Sequence, residues 1–142
     1  MHGAPARIVK VLPQYLDARG RHMLSPSLFE RDAYQTILNT RPELRGGFQL
    51  AVQWKAKSAP ETPLRLRAEL RSVTVGNELV ETVIEQAARP RRRLSQWNYL
   101  RVEGETFKRL GEVRAWRVSL WAGEKLLAEQ RSFLWQAGRR QD

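Results

Sequence analysis

Phe48-Gln49-Leu50-Ala51-Val52-Gln53-Trp54 sets a large apolar side chain at every second position, and Leu64-Arg65-Leu66-Arg67-Ala68-Glu69-Leu70-Arg71 repeats the alternation after one turn. A period of two belongs to a strand with one buried and one solvated face, because successive side chains leave a pleated backbone on opposite sides. The same period returns at Trp116-Arg117-Val118-Ser119-Leu120 and again toward Trp135. Antiparallel sheets tolerate one wet face, so the reading is an all-β, antiparallel chain, half buried and half solvated.

Outward from those strands the pattern changes in recognisable ways. Residues Arg7 to Leu16 are rich in β-branched residues and contain Pro13, which removes a ladder donor and suits an edge strand or bulge; a first strand ending near Pro13 is expected. Ser27-Leu28-Phe29-Glu30 fits a capping box, and Phe29, Ala33, Tyr34, Ile37 and Leu38 form a stripe at helical spacing, which predicts a helix from about Pro26 to Asn39 with that stripe buried. Arg41-Pro42 stops the helix, and Gly46-Gly47 lets the chain turn into the next strand. Ser58 to Pro63 is a turn by composition, and strands Leu64 to Thr74 and Leu79 to Ala87 follow.

Charge fixes the register of that hairpin. Pairing Arg71 with Glu81 and Arg67 with Glu85 also sets Leu70 opposite Thr82 and Ala68 opposite Ile84, and it requires a loop of Val75, Gly76 and Asn77. The same rule at Ala122-Gly123-Glu124 predicts Arg117 opposite Glu129, Val118 opposite Ala128 and Leu120 opposite Leu126. Between the hairpins lie a basic loop, a strand around Gln96 to Val102, and a connection containing Gly104 and Gly111. About seven strands with turns at short intervals argue for a two-sheet sandwich, with a closed barrel as the second choice.

The segment from Gly111 to Trp135, a Trp-x-Val-x-Leu strand, a short turn and a polar-alternating last strand, resembles the final hairpin of immunoglobulin-like and fibronectin-like domains. It differs from antibody domains in lacking the inter-sheet cysteine pair, and the helix near 26–39 is an insertion relative to their pattern. The resemblance implies an immunoglobulin-like sandwich that binds or positions something and performs no chemistry.

A chain of 142 residues with 42% hydrophobic content suits one core, so residues 1–142 are read as a single domain with frayed ends at 1–6 and 137–142. Its apolar runs fall far short of the roughly 20 residues that span a bilayer, so a soluble domain is expected. The stretch from Met1 to Arg7 lacks the order of a secretory signal; the expected compartment is the cytoplasm if Met1 is the native start, and otherwise export with a signal removed. Zero cysteines exclude disulfides, thiolate metal sites and cysteine nucleophiles.

The charge is strongly positive, 25 basic against 15 acidic residues for a formal +10. Arg65, Arg67, Arg71, Arg117 and Arg131 fall on outward strand positions, where cross-strand pairing explains them without a ligand. Arg89-Pro90-Arg91-Arg92-Arg93 is different: four guanidinium groups crowd one loop beside Trp97 and Tyr99, and arginine forks with nearby rings suit phosphates and unpaired bases, or a carboxylate-rich protein. Of the five tryptophans, Trp54 and Trp116 are in phase with core positions, whereas Trp121 and Trp135 are out of phase and are candidate exposed contacts, for a sugar or a protein, unless the helix covers them.

Catalytic signatures are weak. His2 and His22 are isolated imidazoles; His22 near Asp17 or Asp32 would make a base with an orienting carboxylate, but no nucleophile motif accompanies it. Glu103 and Glu105 are spaced to share a strand face as paired carboxylates, although a solvated turn explains them equally. The expectation is therefore a module without catalytic residues, metal or cofactor, whose partner is another protein or a second copy of itself. The alternatives are a polyanion or nucleic acid bound through Arg89, Arg91, Arg92, Arg93, Trp97 and Tyr99, and a carbohydrate stacked on Trp121 or Trp135.

Overall fold

In the computed structural model residues 6–56, 62–91 and 94–135 are described. They form strands β1 (Ala6–Asp17), β2 (Arg45–Ala56), β3 (Leu64–Val73), β4 (Leu79–Ala88), β5 (Gln96–Glu103), β6 (Glu112–Ala122) and β7 (Lys125–Arg131), with helix α1 (Leu28–Thr40) after β1 and helix α2 (Gly104–Leu110) after β5. All pairings are antiparallel, in a three-stranded sheet β1-β2-β5 and a four-stranded sheet β4-β3-β6-β7. Phe48, Leu50, Val52 and Trp54 of β2 meet Leu64, Leu66, Ala68 and Leu70 of β3, with Leu100, Val102, Val118 and Leu120 filling in from β5 and β6. The protein is an all-β, immunoglobulin-like sandwich. Its fourth strand stays on β3, whereas the constant-type arrangement places it in the sheet of the first two strands, at the edge beside the fifth.

The first hairpin has the register that charge pairing requires. Arg71 faces Glu81, Arg67 faces Glu85, and Val75, Gly76 and Asn77 form the loop, closed by Thr74 and Glu78, with Asn77 at φ +65°. The second hairpin does not follow the same rule. Ala122 faces Lys125 across a two-residue Gly123-Glu124 turn, and a bulge between Leu120 and Trp121 sets Leu120 opposite Ala128 and Arg117 opposite Arg131. Gly123, at φ +61°, supplies the positive angle that the tight turn needs, and the bulge absorbs the extra residue.

Strand β1 runs past Pro13 to Asp17. It is an edge strand, and the backbone N–H and C=O of Tyr15 point away from β2 into the side-chain amide of Gln35 on α1, both at 2.8 Å. Pro13 shares that parity, so its missing N–H lies where no ladder partner stands. Ala6, placed among the frayed residues by the sequence, opens β1 opposite Ala56; residues 1–5 and 136–142 lie outside the described residues. On β2 the expected wet face is covered: Gln49 and Ala51 are buried beneath neighbours on β1 and β5, because β2 is the middle strand of three.

Helix α1 starts at the expected cap, with Ser27 Oγ accepting from the Glu30 N–H, and ends before Arg41. Its stripe does not bury as one face. Tyr34 and Leu38 dock on β1, whereas Phe29, Ala33 and Ile37 point to solvent, Phe29 being 83% exposed. The sandwich edge accepts only a narrow helix face, held by polar anchors. Asp17 is one of these: it accepts from the Arg19 and Arg21 N–H groups, the Arg21 guanidinium and the Tyr34 hydroxyl at 2.6 Å. Burial would raise its pKa, but those donors outweigh burial and hold the carboxyl at about 2, against 3.8. A depressed carboxyl stabilises the fold above its unfolded value and loses that contribution as the pH falls toward about 2. Asp17→Asn is therefore expected to cost about 2 kcal/mol at pH 7, with the gap to wild type narrowing between about pH 5 and pH 2 in urea titrations.

Candidate functional site

The outer face of the β1-β2-β5 sheet is built from rungs that cross all three strands. Arg7 faces Lys55; Lys10 faces Gln53, which faces Trp97; Leu12 faces Ala51, which faces Tyr99; Gln14 faces Gln49, which faces Arg101. A bulge between Ile8 and Lys10 keeps the pleat in phase, so Ile8 points into the core and Lys10 points out. Trp97 and Tyr99 are 39% and 45% exposed, their rings 6.4 Å apart and within 13° of parallel. Behind them Gln49 Nε2 donates to Gln14 Oε1 at 2.8 Å and Arg101 Nε donates to Gln49 Oε1 at 2.9 Å, which fixes the fourth rung as a rigid polar row.

The basic loop stands at the Trp97 end of this face. Arg89 and Arg91 are exposed, the Arg89 carbonyl accepts from the Gln96 side chain, and the Leu94 N–H donates to the Arg91 carbonyl at 3.1 Å. Arg92 and Arg93 lie outside the described residues. Lys10 thus shares the Trp97 rung, Arg7 and Lys55 form the neighbouring one, Arg89 and Arg91 stand in the loop that leads into β5, and among the described residues no carboxylate pairs with any of the five.

The opposite sheet uses its arginines differently. Arg65 and Arg67 pair with Glu85, Arg67 and Arg117 with Glu69, Arg117 and Arg131 with Glu129, and Arg71 with Glu81. That network, and not the helix, covers Trp121 and Trp135, the candidate exposed contacts. Trp135 is buried, because the turn after β7 folds it back beneath the Arg71 guanidinium, 3.6 Å from the ring centroid. Trp121 is half-buried, donating to Ser119 Oγ at 2.8 Å and lying under Arg65. Helix α1 covers neither, since it packs on β1. A sugar platform here would have one buried and one half-buried ring to use.

The remaining candidates disperse. Glu103 ends β5 and Glu105 lies in the first turn of α2, so they share no strand face. The connection expected around Gly104 and Gly111 holds helix α2, whose sequence signals are Phe107 and Leu110, three residues apart and packed on the core, and Lys108 and Arg109 ahead of Gly111. His22 is half-buried, and burial, then Arg31 and Arg101, lower its pKa, while the Asp17 oxygens are engaged by Arg19, Arg21 and Tyr34. Among the described residues no group of three or more His, Cys, Asp or Glu side chains is placed to hold a metal, and no helix is long and apolar enough to cross a membrane. A cleft of about 580 Å³ at the far pole is walled by Val73, Phe107, Lys108 and Arg114, and its Arg45 is already engaged by Glu112 and the end of α1.

These features define the class, an immunoglobulin-like β-sandwich with a basic aromatic sheet face and an added helix. No family model and no curated protein matches the chain. Among solved structures it is similar to an immunoglobulin-like protein from Pseudomonas aeruginosa at 19% identity, over 90% of this chain and 94% of that one, with a TM-score of 0.39.

Proposed function

We propose that the protein is a noncatalytic module that contacts another protein, and that α1 is its contact element. The observation that supports this reading is the outward ridge of Phe29, Ala33 and Ile37. Spaced four apart, they line one side of the helix. Tyr34, Gln35, Leu38 and Arg45 hold the opposite side on the sandwich, so the ridge is presented rigidly. Leu24 and Leu28, 60% and 64% exposed, extend the apolar surface at its start. A ridge of this spacing fits the groove between side chains of a partner helix. A second copy carries the same formal +10 and is repelled, which favours a different protein.

The test is a photo-crosslinking amino acid at position 29, 33 or 37 in the producing cells, with Lys125 on β7 as the control site. The three positions are expected to converge on one protein, and Phe29→Ser with Ile37→Ser to abolish the crosslink from position 33 while changing stability by less than about 0.5 kcal/mol per substitution. Products identical to those from position 125 overturn the reading. A concentration-dependent dimer in sedimentation, dissolved by Phe29→Ser, would make the partner a second copy.

A further inference from the structure

We infer that the outer face of the β1-β2-β5 sheet binds single-stranded nucleic acid, independently of the α1 contact. Three properties of the face meet there. Five cations, Arg7, Lys10, Lys55, Arg89 and Arg91, surround it without a pairing carboxylate among the described residues, while arginines on the other sheet are laced to glutamates. Two near-parallel rings stand on adjacent rungs, stacked side by side with centroids 6.4 Å apart and 39% and 45% exposed. Behind them Arg101, exposed and fixed through its Nε by Oε1 of the buried Gln49 at 2.9 Å, presents a guanidinium of the kind that hydrogen-bonds base edges.

Unpaired bases have free π-faces, and a strand laid across the sheet would stack them on Trp97 and Tyr99 while its phosphates run past Lys10, Lys55 and the Arg89 to Arg91 loop. A duplex hides its base faces, and a sulfated polysaccharide needs the cations and not the rings. The rungs from Arg7 to Arg101 extend on the order of 25 Å, room for about four nucleotides. Spacing and charge together therefore select the single strand.

The test uses the intact protein with a fluorescein-labelled 12-nucleotide oligothymidylate, a duplex of equal length and a heparin oligosaccharide, followed by anisotropy across a salt series. Saturable binding is expected for the single strand, with affinity falling as salt rises by a log–log slope of about −0.7 per phosphate contacted. Trp97→Ala is expected to weaken it about tenfold at unchanged slope. Lys10→Glu, at an exposed site that leaves the thermal melt unchanged, is expected to reduce the slope by about one contact and serves if Trp97→Ala does not fold. No saturable binding in 50 mM salt overturns the inference. So does equal affinity for duplex or heparin that is indifferent to Trp97→Ala, the signature of nonspecific attraction to a basic protein.

Discussion

Arg45→Met is expected to lower stability by about 3 to 4 kcal/mol and to loosen the last turn of α1 ahead of the sandwich. The side chain is only 5% exposed. Its guanidinium donates from Nε to the Leu38 carbonyl at 2.6 Å, from Nη2 to the Asn39 carbonyl at 2.8 Å, and from Nη1 to Glu112 at 2.5 Å, and it lies 3.9 Å from the centroid of the Tyr15 ring. The last carbonyls of a helix have no partner within it and carry the negative end of its dipole, so a fixed cation there satisfies hydrogen bonds and charge together. Methionine keeps the stem volume and removes every donor. Glu112, 44% exposed, can rehydrate, so the loss falls mainly on the helix end.

Hydrogen exchange would localise the effect. The Arg41 amide, which closes the last turn onto the Ile37 carbonyl at 2.9 Å, should exchange far faster in the variant, and Val118 in the core should change only with global stability. Arg45→Lys should recover part of the energy, because an ammonium can reach one carbonyl or the carboxylate but cannot span all three. A loss below about 1 kcal/mol would show that α1 is held by Tyr34, Gln35 and Leu38 alone. The Phe29 ridge would then be presented without help from β2.

What the sequence made legible follows interaction range. The period at Phe48 to Trp54 and Leu64 to Arg71 gave the strands, and Arg71–Glu81 with Arg67–Glu85 gave their register, because hairpin partners are close in sequence and their charges share one wet face. The second hairpin departs from its expected register by one residue at the turn and by two beyond the bulge. Arg117 still bonds Glu129 at 2.8 Å, diagonally, so charge pairing could not tell the bulged register from the unbulged one. That Arg71 and not the helix covers Trp135 is invisible in the alternation, which ends at Arg131, where Ser132 receives N–H bonds from Trp116 and Trp135 and turns the chain back on itself. The basic aromatic face was half visible: Arg89, Arg91, Trp97 and Tyr99 are neighbours in sequence, whereas Arg7, Lys10 and Lys55 join them only through pairings of β1 and β5 with β2. The outward ridge of α1 was hidden for the same reason, since helical spacing reveals an apolar stripe and not how much of it the sandwich will cover.

Trp54→Ala is expected to cost about 4 kcal/mol, lowering the melting temperature by on the order of 10 °C, while Trp54→Phe should cost about 1 to 2 kcal/mol. Trp54 is fully buried between the sheets, and its Nε1 donates to Asn98 Oδ1 at 2.7 Å. Asn98 Nδ2 then donates to Gln86 Oε1 at 2.5 Å, and Gln86 Nε2 donates to the Tyr99 carbonyl at 3.3 Å. This relay joins β2 and β5 of one sheet to β4 of the other at the edge that carries Trp97 and Tyr99. Phenylalanine removes the first donor and keeps most of the volume, so Asn98 loses a partner but the strands stay apart. Alanine also opens a cavity, into which β5 can settle. The two variants therefore separate packing from the relay: in the oligothymidylate assay both lose stability, but only Trp54→Ala should also lose affinity, because only there does the backbone beneath the rings shift. Equal affinity losses in the two variants would place the control of ring geometry in the hydrogen-bond relay and not in the core.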